Sequence, residues 1–243
     1  MLAPMKKQPG GRHFAYQHPT FGTVARPTPV SKWKNTVYYW WWAYLRCNPL
    51  YWQTCDSDGV GPCADLYRDF GDVRGDDFKA WWMERGRGVR LFAEPRAEDM
   101  VRVLEEGEPA LSKEQALTVS LPLNFPKRLL ERRFRVLLAQ HHQGQRGKQY
   151  AKQSQARYKV QGQPNVPALA LGYEVWQLRK ARPDLALWEI GNSIARVSAG
   201  AKVTGNPRSM ENTDKKRVLA ATVSRYLKRV NESISRAGVG LFP

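Results

Sequence analysis

The first fifty residues contain no acidic side chain, against seven basic ones. A segment of that kind cannot neutralise itself and finds its counter-charge elsewhere, in the rest of the chain or in an anionic partner. Cysteine is scarce too, three in 243 residues. An odd, low count builds no disulfide framework, so reduced thiols in a cytoplasmic protein are expected. Cys47, Cys55 and Cys63 are evenly spaced, but no CxxC pair and no nearby histidine accompanies them, which argues against structural zinc. No run of about eighteen apolar residues occurs, so no membrane span is expected. The opening MLAPMKKQPGGRHF has a basic pair without the apolar stretch of a secretory signal. Glycine-rich phosphate loops, a Ser/His/Asp signature and zinc-finger spacing are absent, and no cofactor is expected.

Positive charge is what the chain has in excess: 39 Lys plus Arg against 22 Asp plus Glu, a net +17 with a pI near 10.0. A hydrophobic share of 42% and a charged share of 25% are ordinary for a folded protein. The length suits one large domain or two small ones. The charge is unevenly placed: residues 1–50 carry +7, residues 51–110 carry −6 and residues 111–243 carry +16. Charge needed only for solubility would be spread. Here an acidic middle is set apart from a basic second half, and the class of ligand implied is a polyanion, nucleic acid above all.

Residues 1–35, rich in Pro and Gly, read as a flexible basic arm able to lie along a phosphate backbone. Residues 36–108 read as an aromatic-rich helical domain with an acidic surface. Its first helix, VYYWWWAYLRCNP, is apolar on every side, which demands enclosure by protein; some of the rings could instead offer a base-stacking surface. Pro49 ends that run, residues 53–63 read as loop, and short helices are expected over Ala64–Phe70 and Asp76–Glu84, the second capped by Asp76 or Gly75 and anchored by Phe78, Trp81 and Trp82. A modest amphipathic stretch covers 97–106, and Gly107 and Pro109 mark a domain boundary.

Residues 111–243 read as a basic helical domain that binds nucleic acid. Leu117, Val119, Leu121 and Leu123 alternate like an edge strand. Over 127–142, Leu130, Phe134, Leu137, Leu138 and His141 share one helical face, and Arg128, Arg132, Arg135 and His142 the other. The basic, glutamine-rich stretch 143–164 has no acid and reads as a loop ordered by phosphates. Helices are expected at 167–180, opened by Pro167, at 185–197, capped by Asp184, and at Asp214–Arg236, where Leu219, Val223, Tyr226, Leu227, Val230 and Ile234 form the best seam in the chain and Gly238 stops it.

Ala221 to Lys228, with Thr222-Val223-Ser224-Arg225 at its centre, resembles the recognition helix of helix-turn-helix regulators, with Leu187–Val197 as supporting helix. That resemblance implies hydroxyls close to the phosphates and an arginine on guanine. The short glycine-bearing turn is missing before it. Trp42 to Tyr51 is similar to the W-x-[FY]-L-R-R-N-P-x-Y opening of proteobacterial and mobile-element proteins with transcriptional-regulator-like domains, Cys47 replacing the second arginine. FGDVRGDDFKAWW and the closing LFP resemble uncharacterised phage or integrative-element proteins, which implies a mobile-element context.

The expected protein is mainly α, with two helical parts, the second in one form a winged helix-turn-helix, and at most a short strand near 117–124. It binds nucleic acid, DNA before RNA, as a regulator of transcription or replication without catalysis; a homodimer is open. Phosphates fall to Arg128, Arg132, Arg135, Arg146, Lys148, Lys152, Arg157 and Lys159, and groove contacts to Thr222, Ser224, Arg225, Lys228 and Arg229. The alternatives are a structural or interaction protein of a phage particle and a metal-dependent nuclease or nicking initiator. The nuclease would use Asp65, Asp69, Asp72, Asp76 and Asp77 for Mg²⁺. The nicking enzyme would use His141 and His142 with Tyr150 or Tyr158, although adjacent helical histidines point about 100° apart.

Overall fold

The computed structural model describes residues 13–95, 103–104, 107, 109, 117–141, 154–206 and 209–243. At its centre lies α2 (Val37–Leu45), in which Val37, Tyr38, Trp41, Trp42, Ala43, Tyr44 and Leu45 are all buried. Thr36 caps it, its hydroxyl accepting from Tyr39 N and donating to Trp33 O. The all-round apolar pattern therefore does mean enclosure. Short helices supply the cover: α1 (Val30–Lys34), α3 (Pro49–Asp56), α4 (Ala64–Phe70), α5 (Phe78–Met83) and α6 (Arg87–Phe92).

These helices meet α2 mainly through rings. Phe92 of α6 lies 4.9 Å from Tyr38, Phe78 of α5 lies 5.3 Å from Trp42, and Trp33 of α1 meets Tyr39 edge-on at 5.5 Å. Each such pair contributes roughly 0.5–1.5 kcal/mol beyond its buried area. The α5–α6 corner needs a sharp reversal, made at Arg85 and Gly86, both at positive φ. It brings the α6 backbone onto the Trp82 ring, where a Cβ at Gly88 would sit 2.1 Å from the indole.

Four local expectations change. Pro49 does not merely end α2: with Asn48 as N-cap it opens α3, so Gln53–Asp56 are helical and not loop. Asp77, one residue later than expected, caps α5 through Ala80 N at 2.9 Å. Residues 117–126 form no strand, and Leu117, Leu121, Leu123 and Phe125 are exposed; alternation without a partner makes no ladder. Residues 13–35, expected as an arm, lay Phe14, Tyr16, Phe21 and Trp33 against the aromatic core. The stretch expected at 97–106 and the boundary at 107–109 fall mostly outside the described residues, although Val103 and Leu104 are not helical.

Helix α7 (Lys127–His141) forms where expected but buries nothing: Leu130, Phe134 and Leu137 are only half covered. Helix α8 (Val166–Ala181) is capped by Asn165, whose side chain accepts from Ala168 N at 3.0 Å. The expected helix at 185–197 is split at Ile194 into α9 (Leu187–Ser193) and α10 (Ala195–Ser198). Asp184, expected as its cap, pairs with Arg182 instead.

Helix α11 (Met210–Ala237), capped by Ser209, starts four residues before the expected Asp214 and is about 42 Å long. Its buried seam serves two cores. Val223 joins Leu171, Val175, Ile190 and Ile194, while Val230, Ile234 and Ala237 enter the aromatic cluster around α2. Among the described residues no sheet forms, only isolated bridges at Phe14–Ala93, Gly22–Pro27 and Val160–Phe242. No described helix is long and apolar enough to cross a membrane.

The two ends of the chain are joined at Asn48. Its Oδ1 accepts from Tyr51 N at 3.0 Å while its Nδ2 donates to Ile234 O at 2.9 Å, and the residue is 4% exposed. Replacing Asn48 by Ala removes a cap and the long-range bond to Ile234 O, which keeps only its bond from Gly238 N at 3.2 Å, and this predicts a loss of about 2 kcal/mol in urea unfolding; an unchanged midpoint contradicts this tie. Burial raises the thiol pKa of Cys47, Cys55 and Cys63, with Cys55 and Cys63 1% and 6% exposed. Less thiolate means slower attack, so Ellman's reagent is expected to titrate Cys55 and Cys63 only on unfolding. Rapid reaction of either in buffer contradicts the packing.

Candidate nucleic-acid interface

Because the seam of α11 fixes which side is inside, it also fixes what faces out. Ser224, Arg225, Lys228 and Arg229 are exposed, and Thr222 is half-buried. Thr222, Arg225 and Arg229 follow one another at three and four residues, which lines them along one stripe, with Ser224 and Lys228 beside it. The Arg225 guanidinium donates to Thr222 Oγ1 at 3.3 Å, which orients it across the helix surface. Beside them Lys228, Asn231, Glu232, Ser235 and Arg236 line a shallow groove of about 650 Å³.

Charge compensation varies along this helix. In its first turns Lys215 pairs with Glu211, Arg217 with Asp214 at 3.8 Å, and Lys216 sits 4.4 Å over the Trp188 ring. Arg225, Lys228 and Arg229 have no carboxylate partner among the described residues. The same holds on α7, where Arg128, Arg132 and Arg135 are exposed and the ion pair present is Lys127–Glu131 at 3.7 Å.

The segment 154–162 differs from the loop expected there. Glu94, 7% exposed, accepts from Ser154 Oγ at 2.5 Å and Gln155 N at 2.7 Å, and Ala156 and Val160 are buried. Arg157 pairs with Asp69 at 2.7 Å, and Tyr158 donates its hydroxyl to the same carboxylate at 2.6 Å. Arg157 is thus already neutralised by the acidic middle. Lys159 is exposed and has no such partner among the described residues. Arg146, Lys148, Lys152, His142 and Tyr150 lie outside the described residues.

Several other described carboxylates of the acidic middle are answered close by. Arg74 binds Asp72 at 2.6 Å and Asp56 at 2.5 Å, Arg46 binds Asp76, and Arg68 binds Asp65 at 2.9 Å. The Arg74 hydrogen bond holds the Asp72 carboxyl below its usual range. Asp77 is occupied as a helix cap. Among the described residues no three His, Cys, Asp or Glu side chains are grouped so as to hold a metal ion. Burial pushes the Tyr158 hydroxyl well above the usual phenol range, a poor setting for a nucleophile.

The helix before α11 also matters to the recognition-helix likeness. The described residues between α10 and α11, 199–206 and 209, already exceed a short turn. Asn192 secures it by exchanging hydrogen bonds with Val203, and Asn212 by donating to Thr204 O and Asn206 O. Sequence reasoning missed one surface, the cleft where Trp52 faces Trp176 and Lys180; its two walls are far apart in the chain, so no local pattern marks it. No protein-family model, curated protein or solved structure matches this chain.

Proposed function

We propose that the protein binds nucleic acid, duplex DNA first, as a non-catalytic regulator of a phage or other mobile element. One observation carries the reading: Arg225, Lys228 and Arg229 stand exposed, without a carboxylate partner among the described residues, on the outer face of a helix whose inner face is anchored in two cores. Cations without carboxylate partners, held on a rigid support, are what phosphate neutralisation requires. In the acidic middle several carboxylates are committed to nearby arginines, which leaves the excess positive charge in the second half available. Arg128, Arg132, Arg135 and Lys159 add further phosphate contacts, while Thr222 and Ser224 are small enough to let α11 approach a groove. The mobile-element context rests on the sequence likenesses at Trp42–Tyr51 and Phe70–Trp82.

A second reading, a structural or interaction protein of a phage particle, is favoured by the half-covered apolar stripe of α7 at Leu130, Phe134 and Leu137. Anisotropy titration of a labelled duplex over a salt series separates the two. With about six phosphates neutralised, log K is expected to fall with log[salt] at a slope of roughly −5. Converting Arg225, Lys228 and Arg229 together to Ala reduces the magnitude of the slope by about 2.7. Arg157→Gln, whose partner is Asp69, changes it by less than about one unit. Salt-independent or undetectable binding overturns the nucleic-acid reading.

A further inference from the structure

Of the nine tryptophans, eight are buried or half-buried; Trp52 is exposed at 43%. Its ring is nevertheless held in place, because its indole N–H donates to Arg46 O. Arg46 is fixed in turn by Asp76, by the carbonyl of Arg74 at 3.2 Å and by the Trp42 ring 4.6 Å away. An aromatic face kept rigid and left in water is unfavourable unless something covers it.

Trp52 lies on one wall of an open cleft of about 730 Å³, and the C-terminal half of α8 forms the other. Tyr173, Trp176, Gln177 and Lys180 recur there at three, one and three residues, one side of a helix whose Leu171 and Val175 face the second core. Tyr173 and Trp176 stack at 6.2 Å, and Lys180 Nζ lies 5.5 Å over the Trp176 ring. Gln53 on α3 and Gln177 on α8 are exposed, and among the described residues neither side-chain amide has a hydrogen-bond partner.

We infer that this cleft takes one unstacked nucleobase of a single strand, stacked on Trp52 or Trp176, with the adjoining phosphate at Lys180. The inference rests on the nucleic-acid reading above and adds to duplex binding on α11 a separate single-strand subsite. Ring faces bind any base through its π-surface. Two free primary amides, each both donor and acceptor, match the edges a base exposes once it leaves its pair. Charge sets the number of phosphates: Arg46 is paired with Asp76, Asp56 shares Arg74 with Asp72, and Lys180 is the one cation of the described lining without a carboxylate partner. That favours one nucleotide unit over a polyphosphate. It also favours a base over a peptide, which would leave the flat aromatic faces without a planar partner.

The test compares a labelled fifteen-nucleotide single strand with its duplex, titrated against the full chain and its Trp52→Ala, Trp52→Phe and Lys180→Gln variants. Removing the ring is expected to weaken single-strand binding about tenfold, with Trp52→Phe retaining most of it and Lys180→Gln losing less than the ring deletion. Duplex affinity is expected to change less than about twofold in each. If the single strand binds and Trp52→Ala leaves it unchanged, the cleft holds no base, whatever else it holds. If duplex binding depends on Arg225, Lys228 and Arg229 but no single strand binds, the cleft proposal alone falls. If neither form binds, the nucleic-acid reading falls and takes the cleft proposal with it.

Discussion

An α-helix that carries large rings on every side can exist only inside a protein, and α2 is such a helix. Each of its faces needs a partner, and no single neighbour can reach them all. Five short helices, the segment 13–28, residues 154–162 and the C-terminal Phe242 therefore converge on nine residues. Helix α11 joins them from the far half of the chain through Val230, Ile234 and Ala237. Enclosing α2 thus decides how α11 is rotated, since the stripe that packs on the aromatic core cannot also face solvent. Arg225, Lys228 and Arg229 face outward as a consequence of that packing.

The same enclosure separates structural charges from available ones. Asp69 is drawn down beside Phe70 and Tyr158, where its side chain is 12% exposed, and it takes Arg157 with it. Exposed pairs such as Arg68–Asp65 contribute little to stability, of order 0–1 kcal/mol. Their effect is on the field outside: carboxylates already matched to arginines do not oppose an approaching polyanion. Unmatched cations among the described residues include Arg128, Arg132 and Arg135 on α7 and Arg225, Lys228 and Arg229 on the outward face of α11, both regular helices that hold side chains at fixed spacing.

Elements governed by their own period were legible in the sequence. Helix α4 lies at its expected place, α8 has Pro167 in its first turn as expected, and the seam of α11 is buried at Leu219, Val223, Val230 and Ile234. Elements created by distant partners were not. The α6 helix exists because Gly88 lets its backbone lie on Trp82, and residues 117–123 alternate convincingly yet find no strand to pair with. Arg157 resembles its basic neighbours in sequence and differs from them only through Asp69, far away in the chain. The cleft at Trp52 and Trp176 is of the same kind, since α3 and α8 lie far apart in the chain.

The central claim, that the outward cations of α11 are free for phosphate, is tested most directly by lysine acetylation with and without duplex DNA, read residue by residue by mass spectrometry. Lys228 is expected to be labelled readily in the free protein and protected by DNA, while Lys215, held by Glu211, changes little. Equal labelling of Lys228 in the presence and absence of saturating DNA contradicts the claim.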